Sequence, residues 1–424
     1  MNKLLCLFVL ALSFLQLYGQ TENIRLSLND AIQIGLKNNP EMKKASDNIS
    51  AAGGRFWSGI SFPKPELGVS YEYAPVNTSL SNYSEKTLEV RQNFEFPSNY
   101  FLRGNKLSKE EEIAYYQLRQ TGLLVTSEIK SAYCNVLAKQ EQVRNAEENL
   151  AITEDFSQKA EIRYNAGEGT NIERLTAKVQ FTQTENNLEA AKNDLNTAFA
   201  ELNFALGYGE RTEVSYTLTD SMFFSTEQQG VYSLEELHKI ALSNNQTIKI
   251  SELKECASSI DHSLAWSSLL PDFNIGYFRQ SRDGDNGYYG ASFGISLPLW
   301  FLFDNRGRIQ EAAANMSIAL SELQLAKNEV YLKLKTAFNN YEKNLKQVRL
   351  YLNHILPQAE EVYRSATASY DAGEITYLEF LQARQIFINA KSNYTDILLS
   401  YNLSIFTIEK TVGQSLTEKI NGVK

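Results

Sequence analysis

Two hydrophobic periods divide the chain between them. In PELGVSYEY, Leu67, Val69, Tyr71 and Tyr73 alternate with Gly68, Ser70 and Glu72; in TLEVRQNFEF, Leu88, Val90, Phe94 and Phe96 alternate with Glu89, Arg91, Asn93 and Glu95. Phe273, Ile275 and Tyr277 repeat the pattern against Asp272, Asn274 and Gly276, as do Tyr289, Ala291, Phe293, Ile295 and Leu297 against Gly290, Ser292, Gly294 and Ser296. A period of two sends successive side chains to opposite faces of a strand. These stretches therefore predict four strands of about 9 to 11 residues, paired as hairpins over about 65–97 and 271–298. The connections inside the hairpins, APVNTSLSNYSEK and SRDGDNG, are polar and read as loops.

Elsewhere the period is helical. Short helices are expected near Leu28 to Lys37 and Leu234 to Ser243, each ending in Asn-Asn, followed by helices to about Gly59 and Ser268. Beyond Pro97 and Pro298 come aromatic and basic connections, NYFLRGNK and WFLFDNRGR, and then helical hairpins over about 104–206 and 305–412 with tips near 164–171 and 370–377. Tyr341, Val348, Ile355 and Val362 form one row of sevens, and Leu345, Leu352, Ala359 and Ala366 the next. Phe181, Leu188, Leu195 and Leu202, and later Phe387, Tyr394, Tyr401 and Ile408, carry the same spacing on the return helices. Sevens are the signature of a coiled-coil seam, and sixty residues of helix reach about 90 Å. Pro357 predicts a kink or splice in the outgoing helix of the second hairpin.

The two sets of elements are copies. RYNAGEGTNIERLTA from Arg163 lies over SYDAGEITYLEFLQA from Ser369 at an offset of 206 residues, and the same offset places Leu26 over Tyr232, Pro65 over Pro271 and Gly207 over Gly413. A fixed offset across distant segments marks an internal duplication. The chain divides into a first repeat over 20–207, a linker at 208–230, a second repeat over 231–413 and a tail at 414–424.

Composition narrows the setting. Met1-Asn2-Lys3 followed by LLCLFVLALSFLQL reads as a secretory signal peptide over 1–19, and its apolar run is shorter than the roughly 20 residues a spanning helix needs. Only Cys134 and Cys256 remain after processing, in non-equivalent places, so no disulfide framework is expected. The net charge of −9 argues against a nucleic-acid partner. No GxSxG, HExxH or P-loop is present, and His238, His262 and His354 stand on separate helical stretches, so neither enzyme, metal site nor cofactor is expected. Trp57, Trp266 and Trp300 sit at hairpin margins, where an interfacial belt and ordinary packing both fit.

A single hairpin of this kind fits a soluble protein with one buried face. Two hairpins in an exported chain without a further sheet to cover them favour a membrane instead. Four strands cannot enclose a lumen, and their edges cannot stay open in lipid. Three chains would supply about twelve strands, a size between filled eight-stranded barrels and water-filled porins. The faces with Glu89, Arg91, Glu95, Ser292 and Ser296 would then line the lumen. The fold class expected is mainly α with a small β part: long coiled-coil hairpins plus four transmembrane strands per chain, forming a trimeric α/β-barrel tube.

Arg163-Tyr164-Asn165-Ala166-Gly167 with Leu175 and Ala177, Tyr370-Asp371-Ala372-Gly373 with Leu381 and Ala383, Leu206-Gly207, Val412-Gly413 and the opening LSLNDAIQIGLKNNP resemble the TolC-type outer membrane channels of tripartite efflux pumps and type I secretion systems. The junctions FPSNYFLRGNK and PLWFLFDNRGR look most like the heavy-metal efflux branch related to CzcC and CusC. The resemblance implies a homotrimer in the outer membrane whose tube enters the periplasm and whose tips meet a periplasmic adaptor joined to an inner-membrane pump of the RND or another type. It implies that Arg163, Tyr164, Ala166, Gly167, Tyr370, Ala372 and Gly373 serve tip structure and docking, and that Glu379 and Glu173 narrow the pore as rings of acid. Each Glu can equally cap the first turn of its return helix. Tyr370 matches a tip position that bonds between helix pairs in the family, whereas Ile375 stands where a basic partner can occur. Other readings of the chain are a type I secretion exit duct and a soluble periplasmic coiled-coil scaffold.

Overall fold

A computed structural model describes residues 24–77, 79–208, 216–220, 233–299 and 304–416; the expected signal peptide and Trp300 lie outside them. Among the described residues, strands and α-helices succeed one another as β1 (Ile24–Leu26), α1 (Leu28–Asn38), α2 (Pro40–Gly59), β2 (Glu66–Glu72), β3 (Glu85–Phe94), α3 (Pro97–Asn165), α4 (Asn171–Ala205), β4 (Tyr216–Leu218), α5 (Leu234–Asn244), α6 (Gln246–Ser267), β5 (Asp272–Arg282), β6 (Asp285–Ser296), α7 (Asp304–Leu350), α8 (Leu356–Asp371) and α9 (Tyr377–Val412). Starts of equivalent elements are 206 residues apart at Leu28 and Leu234, Pro40 and Gln246, Glu66 and Asp272, and Asn171 and Tyr377. The chain forms two compact units, one of residues 1–43, 121–244 and 331–424, the other of 44–120 and 245–330.

The second unit holds a four-stranded antiparallel sheet in the order β2-β3-β5-β6. Its strands run 7, 10, 11 and 12 residues, so the lengths spread wider than alternation predicted. SRDGDNG is not a loop. Pairing continues to Arg282 and Asp285, and only Asp283 and Gly284, at φ 51° and 86°, make the turn. Two successive positive φ values fit a primed two-residue turn, whose twist matches that of the strands it joins, and Asp-Gly is a favoured pair for it.

Helix α3 begins at Pro97, so NYFLRGNK is helical and the hairpin starts earlier than 104. Proline suits a first turn, where its missing N–H would have no partner anyway. With 69 residues α3 is about 100 Å long. Its first part packs on α2: Asn48 Nδ2 donates to Gln117 Oε1 at 3.0 Å and Arg103 Nη1 to the Gly59 carbonyl at 3.2 Å. A Cβ on Gly59 would fall 2.3 Å from Leu107 Cδ1, so glycine permits that approach.

In the first unit, α4 returns along the rest of α3, and α9 returns beside α7 and α8. One core joins Leu26, Ile129, Tyr133, Val136, Leu202, Leu206 and Tyr216, and another Cys134, Val348, Leu398, Tyr401, Ile405 and Phe406. Within the expected linker at 208–230, β4 pairs in parallel with β1. The Tyr133 hydroxyl donates to the Leu26 carbonyl at 2.9 Å, and Asp220 Oδ2 accepts from the Leu28 N–H at 2.7 Å, which pins this small sheet. Three residues are too few for a detectable period.

Pro357 does not break its helix. A five-residue π-helical turn, Tyr351–Ile355, precedes α8, and such a turn rotates the helix beyond it relative to the seam. The expected rows hold only in part there: Val348 and Ala359 are buried, but Leu352 and Val362 are 44% exposed, while Tyr363 turns inward and stacks on Phe387 at 5.2 Å.

Candidate functional site

The tips are built twice from one recipe. After α3 and α8 the chain reverses at Gly167 and Gly373, with φ of 80° and 77°. The Glu168 N–H reaches back to the Arg163 carbonyl at 2.9 Å and the Glu374 N–H to the Ser369 carbonyl at 2.8 Å. These i to i−5 bonds satisfy carbonyls that a helix end leaves free and require a left-handed residue, hence glycine. Ala166 and Ala372 close the helices before them, their N–H groups donating to Ile162 and Ala368 at 3.0 Å. Thr170 and Thr376 then cap α4 and α9 through their hydroxyls.

From here the copies diverge. Glu379 folds back on its own cap: its carboxylate accepts from the Thr376 N–H at 2.7 Å and the Thr376 hydroxyl at 2.9 Å, a complete capping box. Those two bonds hold its carboxyl below the usual carboxylate range. Glu173, at the same position of α4, instead reaches across to the other hairpin. Its Oε1 accepts from the Tyr370 hydroxyl at 2.8 Å and lies 3.5 Å from Arg163 Nη1, which also donates to the Tyr370 oxygen at 3.1 Å. Ile375 offers no basic group, and the base that bonds Tyr370 is Arg163.

Tyr370 is anchored for this contact. Phe156, Tyr377 and Phe380 surround its ring, with Phe156 stacked on the fully buried Phe380 at 4.2 Å. Burial, reinforced by the bond to Glu173, pushes the Tyr370 hydroxyl up to about 12, so it remains a donor at any physiological pH. Tyr164, its equivalent in the first repeat, is 38% exposed and carries the Arg174 guanidinium 4.6 Å from its ring centre. Beneath the cluster Arg384 is 3% exposed, and its Nε and Nη1 have no partner. Burial pushes its guanidinium pKa down, opposed by the nearby Tyr377 and Tyr363. Sequence reading missed this aromatic knot, although Tyr363, Tyr370 and Tyr377 stand seven apart.

The strand residues converge separately. Register places Glu89 beside Gly68 and Phe278, Arg91 beside Glu66 and Gly276, Ser292 opposite Gly276 and Ser296 opposite Asp272, so all four share one face. Glu89 and Arg91 pair at 2.9 Å. Glu95 lies one residue beyond β3 and is bound by Arg103 of α3 at 2.5 Å. Small residues keep this face of β6 low: a Cβ on Gly290 or Gly294 would strike Phe278 or Asn274 within 2.6 Å.

The opposite face is apolar and bare. Leu67, Val69, Val90, Ile275, Tyr277, Phe293 and Ile295 are 41–78% exposed. The soluble-hairpin reading requires that face to be covered, and the described residues leave it open. A contiguous apolar surface of this kind marks contact with lipid or protein.

The family model for outer membrane efflux proteins matches twice, over residues 31–208 and 237–414. The chain belongs to the outer membrane efflux protein family. It is 22% identical to the cobalt-zinc-cadmium resistance protein CzcC of Cupriavidus metallidurans, covering 92% of this chain and 90% of that one, and 23% identical to the outer membrane protein TolC of Escherichia coli, covering 97% and 87%. Among solved structures, CusC superposes with a TM-score of 0.78 at 16% identity, over 93% of this chain and 94% of that one. The outer-membrane channel OprN superposes at 0.77 with 18% identity, over 91% and 89%. The two family matches are themselves displaced by 206 residues, so each repeat is one copy of the family's unit. This efflux protein is therefore an outer membrane channel.

Proposed function

We propose that three copies of this efflux protein close one twelve-stranded barrel and form the exit channel of a tripartite system, fed by a periplasmic adaptor and an inner-membrane pump. The observation that carries this reading is an apolar sheet face left bare together with two open edges, β2 and β6. Hydrocarbon tolerates neither open edges nor unpaired backbone groups. Because the sheet is antiparallel throughout four strands, β6 of one copy meets β2 of the next in the same alternation, and a cyclic assembly closes without a mismatched seam. Glu89, Arg91, Ser292 and Ser296 then face the lumen, with Glu95 at its periplasmic mouth.

At the tips, Arg163, Tyr164, Ala166, Gly167, Tyr370, Ala372 and Gly373 form the surface offered to the adaptor. The bond from Tyr370 to Glu173 holds the two hairpins of one chain in the resting arrangement. Glu379 is exposed, and threefold symmetry repeats it as a ring that favours cations. The cargo is heavy-metal cations or small toxic compounds, a reading supported by the similarity to a cobalt-zinc-cadmium resistance protein.

The test is the native mass of the protein extracted from outer membranes in mild detergent, followed by conductance in planar bilayers. A three-chain particle whose cation preference falls in Glu379→Ala supports both assembly and ring. A monomer recovered from the soluble periplasm overturns the channel.

A further inference from the structure

The outward face of the sheet changes character along its length. Register orders it in levels from the strand ends nearest the helices toward the Asp283-Gly284 turn. Phe94, Phe273 and Ile295 come first, then Gln92, Ile275 and Phe293, then Leu67, Val90, Tyr277 and Ala291. The next level is Val69, Leu88, Arg279 and Tyr289, and the last Tyr71, Lys86 and Ser281. Two cations thus appear only where the apolar band ends. Because Arg279 is opposite Leu88 and Lys86 is two residues along, the pair are diagonal neighbours, within about 8 Å at Cβ.

Charge balance separates these two from the other basic residues of the sheet. On the inward face Arg91 pairs with Glu89 and Arg282 with Glu85. Outward positions from 67 to 71, 86 to 94, 273 to 281 and 289 to 295 carry no carboxylate. Lys86 and Arg279 have no ion-pair partner among the described residues. Rings flank them: Lys86 Nζ stands 5.5 Å from the Tyr71 ring centre, Tyr83 packs on Tyr71 at 4.8 Å, and Tyr289, directly opposite Arg279, is 76% exposed. Tyrosines prefer the level of lipid headgroups, and unpaired cations there attract anionic ones.

Resting on the membrane reading above, we infer that Lys86 and Arg279, framed by Tyr71 and Tyr289, form a binding site for the phosphate of a lipid headgroup in the leaflet at the Asp283-Gly284 end of the barrel. The bidentate fork of Arg279 suits a phosphate, and Lys86 adds a mobile point charge beside it. Apolar levels beneath the pair receive the acyl chains of the same lipid. The site is therefore for a membrane lipid and not for a soluble anion.

The full-length protein is placed in phosphatidylcholine nanodiscs doped with diphosphoryl lipid A, and retained lipid is read by native mass spectrometry. Each of Lys86→Gln and Arg279→Gln should lower retention on the order of fivefold, and the double variant on the order of thirtyfold, as expected for one headgroup contact per cation. Lys192→Gln, on a helix outside the sheet, should retain as much as the native protein. Equal retention in the double variant overturns the site, as does equal retention of lipid A stripped of its phosphates. Complete displacement of the lipid by millimolar inorganic phosphate overturns the lipid assignment in favour of a soluble anion. Insertion is scored separately by whether membranes release the chain only with detergent. Release without detergent overturns the membrane reading, whereas loss of selectivity in an inserted protein overturns this site alone.

Discussion

At the tips a single hydroxyl joins three helices, since Tyr370 of α8 donates to Glu173 of α4 and accepts from Arg163 of α3. Tyr370→Phe keeps the ring in its aromatic knot and removes only those bonds, one of them to a charged acceptor, at a cost of about 1.5–3 kcal/mol. The expected outcome is faster amide exchange at 160–175 and a higher open probability in bilayers; unchanged exchange would remove the contact from the resting state. Its pH dependence has a definite sign. The folded pKa, about 12, lies above the ordinary 10.0, so the contribution is complete below pH 10 and is lost as pH rises through about 12. Glu379 behaves oppositely, because its pKa is lowered from 4.5: its cap is complete above that value and lost as pH falls through the lower one. Deeper in the same unit, Lys130 and Glu409 form an ion pair at 2.7 Å with both side chains under 10% exposed, and Glu409 also accepts from the Leu416 N–H at 2.8 Å. Lys130→Met leaves that buried carboxylate without its cation and should cost about 3–5 kcal/mol in thermal or urea unfolding. Lys130→Met/Glu409→Gln should recover part of the loss, since the second change removes the buried charge.

Elements record which of these features a sequence can declare. Gly167, Gly207, Gly373 and Gly413 all have positive φ, yet their surroundings differ. A Cβ on Gly373 meets nothing within 4 Å, whereas one on Gly207 would lie 2.7 Å from the Asn38 carbonyl carbon. Gly373→Ala should therefore cost only the left-handed penalty of about 1–2 kcal/mol. Gly207→Ala adds a backbone clash, so its midpoint in urea should fall further; equal midpoints would refute the close approach. The strands and short helices were legible because their periods span enough residues to repeat, and the 206-residue offset located their copies. Three-residue β4 has no period to show, and Pro97 reads equally as a stop or as a first helical residue. The break in the Val362 row has a local cause: one π turn before Pro357 rotates Tyr363 into the seam in place of Val362. Contacts between hairpins were least legible. Arg163 and Tyr370 occupy almost equivalent places in the two repeats, and duplication alone does not say that equivalent tips touch, nor that Arg384 is buried with its Nε and Nη1 unbonded.

For the molecule as a whole, the question is why a duplicated chain stops at four strands. Each repeat contributes one hairpin, and two hairpins pair through β3 and β5 into a sheet that ends on both sides in unmet backbone groups. One chain is thus neither a soluble domain, since a face with Phe293 at 67% and Ile295 at 53% exposure lacks cover, nor a finished pore. In the proposed trimer, copies of the chain resolve both deficits at once, by satisfying the edges and turning the apolar face to lipid. The two faces of β6 must then respond differently to the same insult. Phe293→Arg puts a charge in the middle of the lipid-facing band and should lower barrel stability by about 2–4 kcal/mol, seen as loss of the detergent-extracted three-chain particle. Ser292→Arg, one residue earlier and on the inward face, should leave the particle intact while lowering its single-channel conductance. If Phe293→Arg were tolerated and Ser292→Arg abolished assembly, the sheet would be inside out relative to the membrane, and the acidic and small residues of β3 and β6 would have to be the surface that three copies bury.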